Sequence, residues 1–119
     1  MAFRLTQKPT YQAPVEVWMP NNKGGFTVEK FTAVFRQCVM THVDENDTRP
    51  LIDELRNLPQ AEVMRQVLTN VIDLLDDDDA QVQFNEATLN ALLAIPQALH
   101  GLSESFWSSI FRAPEKNSN

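Results

Sequence analysis

The sequence predicts a mainly α protein with a small N-terminal β-hairpin, a single compact helical domain of α+β type. Two observations predict it. Apolar residues alternate with period two before residue 36, and they recur three and four apart after residue 50. A length of 119 residues, 43% of them hydrophobic, fits one domain and is too apolar for disorder along the whole chain.

Residues 1–13 show no periodicity and read as a flexible N-terminal segment, so the domain is expected over residues 14–112. Val15, Val17 and Met19 then alternate against Glu16 and Trp18, which is strand-like. Pro20-Asn21-Asn22-Lys23-Gly24-Gly25 is a turn signal, because Asn and Gly tolerate positive φ. Phe26, Val28, Phe31, Ala33 and Phe35 continue as a second strand, giving a hairpin over about residues 15–36. The period shifts between Val28 and Phe31, which suggests a bulge near Glu29-Lys30. A helix from Thr27 is the competing reading, since Val28, Phe31, Val34 and Phe35 also fit helical spacing.

Helices are expected over about residues 50–111. Asp44-Glu45-Asn46-Asp47-Thr48 offers N-caps, and Pro50 suits a first turn leading into Leu51, Ile52, Leu55 and Leu58. A second helix is expected from Pro59 to about Asp76, its stripe running through Val63, Met64, Val67, Leu68, Val71, Ile72, Leu74 and Leu75. Asn85 can cap a third, with Leu89, Leu92 and Leu93 inward before Pro96. The last runs from Gln97 to Phe111 through Leu99, Leu102, Phe106 and Ile110, and residues 113–119 read as a loose polar tail.

Composition narrows the function. The net charge is −6, but it is uneven: +3 over residues 1–40 and −9 over residues 41–90. An acidic middle would repel a phosphate backbone, so nucleic-acid binding is disfavoured. Head-to-tail self-association of a basic end with an acidic middle is permitted. No apolar run approaches the roughly 20 residues of a membrane span. The opening MAFRLTQKPTYQ lacks a signal-peptide core, and Cys38 is a single cysteine, so a soluble intracellular protein is expected.

Chemical signatures are sparse. Gly24-Gly25 lacks the pattern of a phosphate loop or a dinucleotide fold. His42, His100 and one cysteine are too few for a tetrahedral zinc site. Cys38 and His42 stand four apart, the spacing of a remote thiol-hydrolase reading, but a small core cysteine among Val39 and Met40 is the plainer one. His100 reads as solvent-facing or locally hydrogen-bonded. Asp76, Asp77, Asp78 and Asp79 invite a calcium reading. The EF-hand register fails, because positions six and twelve from Asp77 are Val82 and Thr88. The tract reads instead as a solvated loop, with an electrostatic contact to a basic partner as its functional reading. No metal, cofactor or catalytic constellation is expected. Trp18, Trp107 and Phe111 are the candidate partner-binding residues, because their facing leaves them at or outside the core edge.

One resemblance orders these features. Val15-Glu16-Val17-Trp18-Met19-Pro20, the Gly turn, Phe31-Thr32-Ala33-Val34-Phe35-Arg36, the acidic helical middle, the leucine helix ending at Pro96, the aromatic helix and Glu115-Lys116-Asn117 together resemble the tail assembly chaperones of long, non-contractile-tailed bacteriophages. The similarity covers about residues 14–117 and rests on scattered positions. It implies a non-enzymatic protein of the host cytoplasm, absent from the mature virion. Such a protein coats the tape-measure protein, keeps it soluble and helps recruit tail-tube subunits. It also implies a longer product made by programmed −1 frameshifting, and Glu-Lys-Asn can be encoded GAA AAA AAC, which contains a slippery heptamer. The alternative is an acidic helical regulatory adaptor, antitoxin-like, that blocks a basic partner.

Overall fold

A computed structural model describes residues 2–111. Two long strands, β1 (Thr10–Pro20) and β2 (Phe26–Arg36), pair antiparallel from Thr10↔Arg36 to Pro20↔Phe26. The register is unbroken, so the bulge expected at Glu29-Lys30 is absent from this pair. Val15, Val17, Phe31, Ala33 and Phe35 lie on the buried face, as the alternation requires. Strand β1 starts at Thr10 and buries Ala13, so pairing begins ahead of the expected start at residue 14.

The expectation of a mainly α fold is overturned. A third strand, β3 (Leu68–Ile72), pairs antiparallel with β2, giving a sheet of order β1-β2-β3, and the described residues are 34% helix and 28% strand. The long helix expected over residues 59–76 stops after two turns, as α2 (Gln60–Val67). A β-bulge explains the misreading. Phe35 pairs with Leu68 but Val34 pairs with Asn70, so Thr69 is the extra residue and its hydroxyl donates to the Val34 carbonyl at 2.9 Å. The bulge turns both Leu68 and Val71 inward, three apart, which is helical spacing produced by a strand.

The remaining elements form a layer on the buried face of the sheet. The short α1 (Ile52–Arg56) buries Ile52 and Leu55, and α2 buries Val63, Met64 and Val67. In α3 (Glu86–Ala94) the Asn85 side chain accepts the Thr88 amide at 2.9 Å, a true N-cap. Only Leu92 of that helix is fully buried; Leu89 and Leu93 pack at the margin. Ile95 alone separates α3 from α4 (Pro96–Ile110), which opens on a proline and buries Ala98, Leu102 and Phe106. Phe106 meets Phe35 edge-to-face at 5.2 Å between ring centroids, joining helix layer to sheet.

Helix α4 also covers the β1 edge of the sheet. Tyr11 donates to the Ser109 hydroxyl at 2.7 Å, and Ser105 donates to the Pro14 carbonyl at 2.7 Å. Gly101 lies against the Glu16 carbonyl. These three small residues are one helical turn apart, so α4 runs antiparallel along β1 and covers main-chain groups that would otherwise be an unpaired edge. Pro14 is tolerated because its polar atoms face α4 and not the ladder. Among the described residues no helix lies on the opposite face of the sheet.

Candidate functional site

With one sheet face covered, every second residue of the hairpin points outward. Trp18 is 54% exposed, and the register sets it opposite Val28. Its ring meets Phe26, 63% exposed, edge-on at 6.4 Å. The three make a contiguous apolar patch at the hairpin tip. The turn that positions it is built by Asn21, whose Oδ1 accepts the amides of Lys23 (2.9 Å) and Gly25 (3.0 Å). Gly24 supplies the left-handed residue at φ 83°.

Trp107 and Phe111 form a second, separate patch. Their rings stack at 6.3 Å and 7°, and the Arg56 guanidinium lies 4.7 Å above Phe111. Trp107 is half-buried at the core edge against Phe106, and its indole nitrogen donates to Gln60 Oε1 at 3.2 Å. Phe111 is the exposed member. Trp18 sits beside Pro96, Gln97 and His100, at the start of α4, whereas this pair sits at its end. Eleven residues at about 1.5 Å each place the two patches roughly 16 Å apart along the helix. His100 pairs with Glu104 at 3.5 Å on the exposed face.

The acidic tract is a structured turn. Asp76 Oδ1 accepts the amides of Asp78 (2.8 Å) and Ala80 (3.1 Å), while the Asp76 amide donates to the Ala80 carbonyl at 2.9 Å. Asp79 takes the left-handed position at φ 59°. Asp76 therefore does in this turn what Asn21 does in the hairpin. Leu75 and Gln81 bridge at its base, leaving Asp77, Asp78 and Asp79 exposed. Beside the turn run two adjoining clefts of about 290 and 370 Å³ that share Leu74, Leu75, Leu92 and Ile95. Together they form an apolar trough between the hairpin tip and α3, with Glu29 and Asp73 in its wall.

Cys38 and His42 do not form a dyad. The Cys38 thiol donates to the Arg36 carbonyl at 3.5 Å, and His42 Nε2 bonds the Arg49 carbonyl at 2.8 Å. Burial pushes the thiol up to about 11, with Arg36 opposing weakly, so it is protonated at neutral pH. In the same loop Asp47 holds Arg49 through two side-chain contacts of 2.8 and 2.7 Å and accepts the Val43 amide at 3.2 Å. Those hydrogen bonds hold the Asp47 carboxyl well below the usual carboxylate range. The N-cap expected from residues 44–48 is therefore not made: these residues form a self-tied loop, and α1 starts after Leu51 with no side-chain cap. Among the described residues no group of three or more His, Cys, Asp or Glu is placed to hold a metal ion, and no helix is long and apolar enough to cross a membrane.

Sequence reasoning named Trp18, Trp107 and Phe111 but missed Phe26 and Val28, whose grouping with Trp18 depends on the register of the hairpin. It also missed the trough, which gathers residues from β1, β2, the 73–82 segment and the α3–α4 junction. The Glu115-Lys116-Asn117 tail lies outside the described residues. Comparison with protein-family models, with curated proteins and with solved structures returns no match to this chain.

Proposed function

We propose that this chain is a tail assembly chaperone of a long-tailed phage. It binds the tape-measure protein in the host cytoplasm, keeps it soluble, and helps recruit tail-tube subunits through a longer frameshifted form. It leaves before the virion is complete. The observation that supports this reading is the pair of separated apolar patches, Trp18–Phe26–Val28 and Trp107–Phe111, on a chain of net charge −6. A long helical client exposes repeated apolar stripes until the tube encloses it. Several modest contacts made together hold such a client reversibly, where one deep pocket would not. The charge keeps the loaded complex in solution.

Co-expression with the long helical protein encoded downstream is the test. Recovery of that protein in the soluble fraction should rise with this chain present and fall back for Trp18→Ser combined with Phe26→Ser. Equal recovery with and without the chain overturns the chaperone reading. The acidic adaptor reading has its own support in the exposed carboxylates of Asp77, Asp78 and Asp79. Capture that survives the aromatic variant and disappears on changing those three to Asn favours it.

A further inference from the structure

Two features of this chain are unpartnered and complementary. The first is the segment before β1. Phe3 is 83% exposed and Leu5 90%, two large apolar side chains on a stretch that forms no strand or helix before Thr10. Arg4 and Lys8 flank them, and the chain has no acidic residue before Glu16. The second is the trough. Its floor is apolar, its wall carries Glu29 and Asp73, and the turn bearing Asp77, Asp78 and Asp79 joins the lining residues Leu75 and Val82. Lys30, the one basic residue among the described residues of the lining, sits 3.8 Å from Glu16.

We infer that residues 2–9 of one copy dock in the trough of a second copy, with Phe3 and Leu5 on the apolar floor and Arg4 and Lys8 toward the acidic wall. The arm of the same copy does not fill it: Phe3 and Leu5 stand 83% and 90% exposed, and no residue before Val17 lines the trough. A second copy's arm is free of that placement. The contact uses different surfaces on the two copies, so it is head-to-tail and leaves one arm and one trough open at the ends of any open chain of copies. A short arm buries far less than the ~1,600 Å² of a standard stable complex, so association is weak and depends on concentration. Nothing in this inference depends on the tape-measure reading, because both halves of the contact belong to this chain.

Sedimentation of the full chain over a concentration series tests it. The weight-average mass should rise with concentration for the native sequence. Phe3→Ser with Leu5→Ser alters only the arm, outside every strand and helix, and Leu75→Ser with Ile95→Ser alters only exposed trough residues. Each pair should weaken association at least about tenfold. Mixing the two variants is the deciding arm of the experiment. One retains a trough and the other retains an arm, so together they form a 1:1 dimer that grows no further. A native chain monomeric at every concentration, an arm variant that associates as the native chain does, or a mixture that stays monomeric each overturns the proposal.

Discussion

Gly101 of α4 lies directly against the main-chain carbonyl of Glu16 in β1. A Cβ at position 101 would overlap that carbonyl oxygen, and neither partner is a flexible side chain that could swing aside. Gly101→Ala gains about 1 kcal/mol of helix propensity. Overpacking in a tight contact costs about 1–3 kcal/mol, and here it also pries α4 from the Ser105–Pro14 and Ser109–Tyr11 bonds. The variant should melt below the native chain. A melting temperature equal to or above the native one would show that the helix edge is loosely seated.

Leu68 and Leu75 separate the strand from the helix it was expected to be. A helical stripe would bury both, whereas β3 and its bulge bury Leu68 to 5% exposure and leave Leu75 half exposed. Leu68→Ala should cost about 2–5 kcal/mol in chemical unfolding. Leu75→Ala should cost less, about 1 kcal/mol, because half of its surface stays in water on folding. Equal, large losses at both positions would restore the long helix.

What the sequence made legible follows from how local each signal is. The hairpin was visible because Val15 and Val17, then Phe31, Ala33 and Phe35, keep strict parity through strands with no bulge between them. Strand β3 was hidden because Thr69 adds a residue and resets the inward spacing to three. Trp18 was read correctly as outward from its own strand, but Phe26 becomes its neighbour only once Pro20 is paired with Phe26. The role of Asp76 was invisible for a different reason. Four identical residues carry no mark of which one turns its carboxylate back onto the chain.

That role gives a substitution test. Asp76 accepts two amides in its turn, as Asn21 does at the hairpin tip with a neutral carbonyl oxygen. Asp76→Asn should therefore leave stability nearly unchanged. Asp76→Ala removes the acceptor for both amides and should cost about 0.5–1.5 kcal/mol per bond lost. Urea midpoints of the two variants decide it. If Asn and Ala behave alike, the turn does not depend on that oxygen.

Asp47 should make the protein sensitive to acid. Its carboxyl is lowered by the Arg49 side-chain bonds first and by the Arg49 and Val43 amides as well. A depressed native pKa stabilises the fold above the unfolded value of about 3.9, and that contribution is lost as pH falls through the native value. Melting temperature should fall more steeply below about pH 4 in the native chain than in Asp47→Asn, which has no charge to lose there. Parallel acid curves for the two proteins would place the acid sensitivity elsewhere.

Cys38 provides the last prediction, and it bears on whether the thiol does chemistry. Burial holds it at about 11, its hydrogen atom is given to the Arg36 carbonyl, and His42 is turned to the Arg49 carbonyl instead of toward the sulfur. Alkylation by iodoacetamide requires the thiolate. Near pH 8 a rise of about two units in pKa lowers the thiolate fraction roughly a hundredfold. The native chain should therefore be labelled about a hundredfold more slowly than the same chain in denaturant, with the rate still climbing past pH 9. Replacing His42 with Ala should leave that rate unchanged, since the imidazole does not reach the thiol. A native rate that levels off near pH 7 and drops in His42→Ala would instead reveal an activated cysteine, and the thiol-hydrolase reading would stand.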